Sequence, residues 1–155
     1  MRDVLFIVFS VVLILRWQSP LSISVEPTDE SVDNAMQKLQ GIWIPVYTET
    51  KSGKNYEIRD RLSIGPKGVF IFGDTHGTIQ GVVVIDPNAK PKLFNFRYKE
   101  DGKEKVILCI YDVDGDTLRL CSIDEGAKRP TAFPKATESK ENYALRVFKR
   151  AKSKP

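Results

Sequence analysis

Two kinds of hydrophobic spacing divide the chain near Gly41. Before this glycine, apolar residues recur at helical spacing, and Thr28 or Ser31 can cap the segment, which predicts a short helix ending at Gly41. The residues on its apolar face are Val32, Ala35, Met36 and Leu39. After Gly41 the hydrophobic period changes to two, which predicts β-strands.

The part of the chain after Gly41 contains eight predicted strands. Their bounds are Ile42–Thr48, Leu62–Gly65, Val69–Gly73, Thr78–Ile85, Pro91–Lys99, Lys105–Val113, Thr117–Ser122 and Tyr143–Lys149. Short turns rich in glycine, proline and aspartate join many of them, and no helical crossover separates them, so parallel pairing is disfavoured. We predict an all-β protein, an antiparallel up-and-down β-barrel of about eight strands with a short N-terminal helix. A sandwich is the alternative.

Alternation along the strands indicates which side chains face inward. Phe70 and Phe72 share one face, and Phe94, Phe96 and Tyr98 share another. With the tryptophan of the first strand, six aromatic residues are the predicted barrel lining: Trp43, Phe70, Phe72, Phe94, Phe96 and Tyr98. An eight-stranded barrel either holds one small ligand or is filled by side chains. These six residues are therefore expected either to line a ligand-binding site or to form a filled core. The alternation in 117–120 predicts a sheet with one dry face.

The first residues of the chain predict export. An apolar run of 12 residues, Val4–Leu15, lies between Arg2 and Arg16 and is short for a membrane span. We predict a signal peptide cleaved between Ser24 and Val25; the alternative is an uncleaved anchor. The predicted organisation is a signal peptide or anchor at 1–24, a linker and helix at 25–38, a barrel domain at 39–150 and a basic tail at 151–155. The predicted localisation is periplasmic, secreted or envelope-associated.

Charge excludes one class of partner. The net charge is +4, and the excess lies at the C-terminus, in Lys149, Arg150, Lys152 and Lys154. No basic stripe interleaved with aromatic residues runs through the body of the chain, so no nucleic-acid partner is expected. Contact with a membrane is expected only through an uncleaved N-terminal segment.

The two cysteines lie on the arms of one predicted hairpin. A two-residue turn at Asp114-Gly115 would pair Cys109 with Leu120 and place Cys109 and Cys121 on opposite faces. A three-residue loop would place the two cysteines diagonally on one face, farther apart than a relaxed disulfide prefers. Two free thiols are therefore expected, and a disulfide is the alternative.

Several motifs carry a resemblance. Gly41-x-Trp43 after a short helix resembles the lipocalin and calycin pattern, in which the tryptophan closes one barrel end under a basic residue. The ordered motifs Leu39-Gln40-Gly41-x-Trp43, Asp114-Gly115-Asp116-Thr117-Leu118-x-Leu120-Cys121, Arg129-Pro130-Thr131-x-Phe133 and Phe148-Lys149-Arg150 are similar to a small uncharacterised secreted domain family expanded in planctomycete bacteria.

That resemblance implies a lipocalin-like fold over about Leu39–Arg150 and no assigned activity. It makes Gly41, Trp43 and either Arg146 or Arg150 the barrel-closure residues. Two features depart from the pattern: Pro45 inside the first strand implies an edge, bulge or kink, and Cys109 stands where relatives have a small residue.

Candidate chemistry is sparse. Asp112, Asp114 and Asp116 suggest calcium, but Thr117 and Ile123 stand where an EF-hand loop needs glycine and glutamate, so solvated turn residues are expected. His76 is the only histidine, and no nucleophile, acid and base form a recognisable set. We predict no catalytic residues, no metal and no cofactor.

The segment Arg129–Phe133 allows two interpretations. It can form a functional loop at the barrel mouth, or it can be structural, with Arg129 capping carbonyls, Pro130 stiffening the turn and Phe133 packing against the core. The structural interpretation is favoured.

Two functional hypotheses follow. The first is a non-catalytic binder of a small apolar or amphipathic ligand inside the barrel. The second is an envelope protein-interaction or inhibitor module that acts through its loops around a filled core.

Overall fold

The computed structural model describes residues 30–73, 77–135 and 142–152. The predicted signal peptide, most of the predicted linker, His76 and the end of the basic tail lie outside these ranges. Within them, no helix is long and apolar enough to cross a membrane.

The described residues form a closed antiparallel β-barrel. Nine strands pair in chain order, and the first strand also pairs with the last, which closes the sheet. The strands are β1 (Gly41–Thr50), β2 (Gly53–Asn55), β3 (Arg61–Ile64), β4 (Val69–Gly73), β5 (Thr78–Asp86), β6 (Leu93–Glu100), β7 (Lys103–Asp114), β8 (Thr117–Ile123) and β9 (Tyr143–Arg150). All except β2 belong to the eight-stranded barrel. The predicted all-β antiparallel barrel is confirmed.

Strand β2 was not predicted from the sequence. All three of its residues are exposed, and it pairs only with the last residues of β1. Lys54 of β2 approaches Glu49 of β1, with 3.6 Å between Nζ and Oε2, and its ammonium lies 4.5 Å from the Tyr47 ring centroid. Polar contacts therefore link β2 to β1. The residues of β2 lack the apolar alternation by which strands are predicted from a sequence.

Turn chemistry fixes two of the hairpin registers. Between β6 and β7, Asp101 and Gly102 both have positive φ angles, 51° and 73°, as a two-residue type I′ turn requires. Between β7 and β8, Asp114 pairs with Thr117, so the two-residue turn lies one position later than predicted.

A β-bulge interrupts β1 at the proline. The pairing of β1 with β9 shifts by one residue between Pro45 and Tyr47. This confirms the irregularity expected from a proline inside a strand, because proline has no N–H to contribute to the ladder.

One helix, α1 (Val32–Leu39), covers one end of the barrel. Ser31, one of the two residues predicted to cap the helix, does so: its hydroxyl accepts a hydrogen bond from the Asn34 backbone N–H at 3.2 Å. Ala35 and Leu39 are buried in the barrel core, whereas Val32 is 51% exposed. The predicted apolar face is therefore narrower than expected. We name the end beside α1 the closed end and the opposite end the open end.

The outer surface of the barrel has two contrasting sides. Over β7, β8 and β9 lies a second apolar cluster that contains Ile110, Cys121, Ile123, Tyr143, Leu145 and Val147. We name this region the covered outer wall. The one dry face expected from 117–120 is confirmed there, because Leu118 and Leu120 are buried and Thr117 and Arg119 are partly exposed, but the last four residues of β8 are buried on both faces. Over β4 to β7 lies the bare outer wall, whose apolar residues are 40 to 52% exposed: Val69, Ile71, Val82, Val84 and Val106.

Candidate functional site

Trp43 lies at the centre of the closed end. Its side chain has no exposed surface, and its indole N–H donates a hydrogen bond to the Leu39 carbonyl oxygen at 2.8 Å. The Arg150 guanidinium lies 4.1 Å from the Trp43 ring centroid, in cation–π contact. The helix end, the first strand and the last strand therefore meet at this residue.

Arg150 is the basic partner of Trp43 and the Arg146 alternative does not take this position. Its Nη2 donates to the Lys38 carbonyl at 2.6 Å, and its Nη1 donates to the Gln40 carbonyl. Its Nε lies 3.3 Å from a carboxylate oxygen of Asp116. Carbonyls at the end of a helix have no intrahelical partners, and Arg150 satisfies two carbonyls there.

Gly41 is required by this arrangement. Its φ is +126°, a backbone conformation that L side chains rarely adopt. A Cβ at this position would lie 2.9 Å from Nη1 of Arg150. The glycine of the Gly41-x-Trp43 motif therefore leaves room for the arginine that covers the tryptophan.

The predicted aromatic lining mostly fills the closed half of the interior. Trp43, Phe70 and Phe94 have no exposed surface, and Phe96 is 8% exposed. Phe96 makes edge-to-face contacts with Phe70 and Phe94, with ring centroids 4.8 and 4.7 Å apart. These four residues belong to the buried core of the barrel.

The other two predicted lining residues lie toward the open end. Phe72 and Tyr98 are near the ends of β4 and β6 and are only partly buried. Ile79 of β5 and Ile107 of β7 share this environment and were not predicted. Their strand alternation, Ile79 with Val83 and Ile107 with Cys109, is the signal that would have found them.

Arg146 also faces the interior. It pairs with Leu120 of β8, a core residue, and with Thr48 of β1, and directly paired residues share one face of a sheet. Its side chain is partly buried. It makes no hydrogen bond or ion pair with any residue in the described part of the chain, in contrast to Arg150.

The two cysteines are free thiols on opposite faces of the sheet. Cys109 belongs to the interior core and Cys121 to the covered outer wall, as predicted. The register places Cys109 opposite Ser122, not Leu120. Burial raises the pKa of Cys109 to about 12 and that of Cys121 to about 11. Such thiols are poor nucleophiles at neutral pH.

The segment Arg129–Phe133 packs against the covered outer wall. Arg129 donates hydrogen bonds to the Cys109 carbonyl at 2.7 Å and to Oδ1 of Asn95 at 2.6 Å. Phe133 packs on the outer cluster, with the Arg119 guanidinium 4.4 Å from its ring centroid. These contacts support the structural interpretation of the segment.

Two grooves open onto the surface. One, of about 680 Å³, lies on the bare outer wall and is bordered by Val69, Val82 and Arg97. The other, of about 520 Å³, lies at the closed end beside Glu30 and Tyr111. The Tyr111 hydroxyl is buried and has no hydrogen-bond partner within 30–73, 77–135 and 142–152. Burial raises its pKa to about 12.

The three aspartates of the predicted β7–β8 turn do not converge. Oδ2 of Asp112 lies 4.0 Å from Nη1 of Arg119, and Oδ1 of Asp116 lies 3.3 Å from Nε of Arg150. Within the described ranges, no group of three or more histidine, cysteine, aspartate or glutamate side chains is arranged to hold a metal ion.

Comparison with known proteins finds no match to a family model, to a curated protein or to a solved structure. The resemblance to the planctomycete family therefore stays a prediction.

Proposed function

We propose that this chain is an exported, non-catalytic barrel that binds a small apolar or amphipathic ligand at its open end. The observation that carries the proposal is the difference in packing along the interior. Phe70 and Phe94 are fully buried, whereas Phe72 and Tyr98 are partly buried although they face the same interior. Partly buried aromatic side chains that converge inside a barrel form the apolar wall that small ligands use.

The packing difference is specific to one region. The partly buried apolar residues toward the open end are Phe72, Ile79, Tyr98 and Ile107. At the closed end, Met36 and Val113 are also partly buried, but there α1 and the Trp43–Arg150 pair cover the core. Access to the interior is therefore expected from the open end.

The inertness of the thiols supports a non-catalytic role. Cys109 and Cys121 keep their protons at neutral pH, because burial raises both pKa values above the ordinary value of 9.0. Export is proposed from the apolar run Val4–Leu15 alone.

The test is native mass spectrometry of the protein purified from its own host, with extraction of the same sample into organic solvent. A stoichiometric apolar or amphipathic mass on the folded protein is the expected result. A folded protein that carries no added mass, and that also fails to bind N-phenyl-1-naphthylamine, a neutral apolar fluorophore, would exclude the proposal.

A matched pair of variants on β5 locates the ligand. Ile79→Trp fills the open end, whereas Val82→Trp adds the same side chain to the bare outer wall, where Val82 is 44% exposed. Binding is expected to fall in Ile79→Trp and to persist in Val82→Trp. The opposite pattern would place the bound molecule outside the barrel.

A second candidate function is supported by the bare outer wall. Val69 pairs directly with Val82, and Arg97 lies between Val82 and Val106 on adjacent strands. Soluble monomers rarely expose large contiguous apolar patches, and such patches mark interaction surfaces. An envelope protein partner would then contact this wall instead of the loops. This candidate requires that cross-linking to a partner protein in the host is lost in Val82→Lys and kept in Ile79→Trp.

A further inference from the structure

Arg146 is the exception among the described arginines that approach the barrel core. Arg150 binds two carbonyls and approaches a carboxylate, and Arg129 binds a carbonyl and an amide oxygen. Arg146 has no such partner in the described ranges. A guanidinium has five donors and stays charged, so partial burial without partners costs free energy.

The surroundings of Arg146 are apolar or weakly polar. Its directly paired neighbours are Thr48 and Leu120. Its charge reaches the buried Cys109 thiol, whose pKa is raised by burial and lowered in part by Arg146. No carboxylate of the described residues lies within ion-pair distance of Arg146, so its positive charge is not compensated there.

The same interior also supplies apolar surface. Phe72, Tyr98 and Ile107 face inward on β4, β6 and β7 and are partly buried. A cation and partly buried apolar side chains on the interior face of one barrel complement a molecule with an anionic head and an apolar body. Arginine suits carboxylate, sulfonate and phosphate heads because its planar fork donates two parallel hydrogen bonds.

We infer that Arg146 is the anion-recognition residue of the open end, and that the ligand is an amphipathic monoanion whose head pairs with this guanidinium. This inference rests on the proposed function and narrows its ligand class. The head would supply the acceptors that Arg146 lacks among the described residues, and the body would cover the partly buried aromatic side chains.

Two fluorophores that differ by one charged group test the inference. 8-Anilino-1-naphthalenesulfonate carries a sulfonate, and N-phenyl-1-naphthylamine is the same ring system without it. Charge-assisted hydrogen bonds strengthen binding by roughly tenfold or more. We therefore expect the sulfonate to bind at least about tenfold more tightly at low salt, with one molecule per folded chain.

The variant Arg146→Met should abolish that preference and leave the affinity for the neutral fluorophore unchanged. Arg97→Met is the matched control, because Arg97 is an exposed strand arginine on the bare outer wall. It should keep the preference. A cooperative thermal transition in each variant shows that the dyes report on folded protein.

The outcomes separate the two proposals. If both dyes bind the native protein equally well, or if Arg97→Met removes the preference, the inference about Arg146 is wrong while the proposed ligand binding stands. If neither dye binds the folded protein, both proposals fail.

Discussion

Two arginines on β9, four residues apart, show how differently the ends of this barrel are built. Arg150 at the closed end stacks on Trp43 and bonds the carbonyls of Lys38 and Gln40. Arg146, nearer the open end, faces the same interior and has no partner among the described residues. The closed-end arginine is therefore bound to two carbonyls and lies beside a carboxylate, whereas the arginine nearer the open end has no ion pair among the described residues.

The aromatic residues repeat this contrast. Phe94 has no exposed surface and contacts both Phe96 and Tyr111, whereas Phe72 has a longer centroid separation from Phe96, 6.3 Å, and is partly buried. Packing of this kind determines stability, and incomplete packing leaves room for binding. The comparison teaches that one barrel interior is packed unequally, with the more complete packing toward the closed end.

The largest effect is expected at the closed end. Phe94→Ala should lower the free energy of unfolding by about 3–5 kcal/mol, because it removes a fully buried ring and leaves a cavity. Urea unfolding followed by tryptophan fluorescence measures this. A loss below about 1.5 kcal/mol would mean that the closed half relaxes far more than a packed core does.

Arg150→Met should cost about 2–3 kcal/mol, because the carbonyls of Lys38 and Gln40 lose a charged donor and Trp43 loses its cation–π contact. Arg150→Lys, which keeps the charge without the planar fork, is the control and should fall between the variant and the native protein. Equal stability of all three proteins would show that this end is held by apolar packing alone.

Phe72→Ala should cost less, about 1–2 kcal/mol, since part of this ring is already in contact with solvent. The measurement is the same urea titration, made beside Phe94→Ala. A loss equal to that of Phe94→Ala would remove the distinction between the two halves of the interior.

Tyr111→Phe should stabilise the protein by about 1 kcal/mol, because it removes a buried hydroxyl that lacks a partner in the described part of the chain.

The hydroxyl pKa is raised from 10.0 to about 12 by burial, so above pH 10 the unfolded state binds fewer protons than the folded state. The stability that the raised pKa of Tyr111 contributes is therefore complete below pH 10 and is lost as the pH rises toward 12.

Comparing the native protein with Tyr111→Phe isolates this titration from those of the buried cysteines. The stability of the native protein should fall more steeply between pH 10 and 12 in chemical denaturation. Parallel pH profiles would show that Tyr111 has a hydrogen-bond partner in solution.

The smallest effect is expected for Arg146→Met, which should change stability by no more than about 0.5 kcal/mol, or raise it slightly. The side chain forms no hydrogen bond or ion pair in the described ranges, and methionine keeps its apolar stem. A loss near that of Arg150→Met, measured by the same denaturation, would mean that Arg146 is structural.

Local sequence patterns predicted the strands because alternation and turn residues are local signals. Each of the eight predicted strands lies within two residues of its observed bounds. Strand β2 was not predicted because it has no apolar alternation. The covered outer wall was not predicted because it depends on tertiary packing outside the sheet, where Tyr47, Leu93 and Phe133 pack on the outer cluster.

The candidate site was only partly predictable. Arg146 and Arg150 lie on the same face of β9, so alternation cannot decide which one meets Trp43. The register decides it, and that register includes a bulge at Pro45. Among the six aromatic residues, inward direction was predictable, but the separation into packed and partly exposed groups depends on how the barrel ends are covered.

The free cysteines on the two sides of the sheet have a practical consequence for how this protein matures. With thiol pKa values of about 12 and 11, almost no thiolate is present near neutral pH to exchange with glutathione. Because both cysteines are free in the native structure, no disulfide has to form for the barrel to fold. The folded barrel should be equally stable with and without a reducing agent.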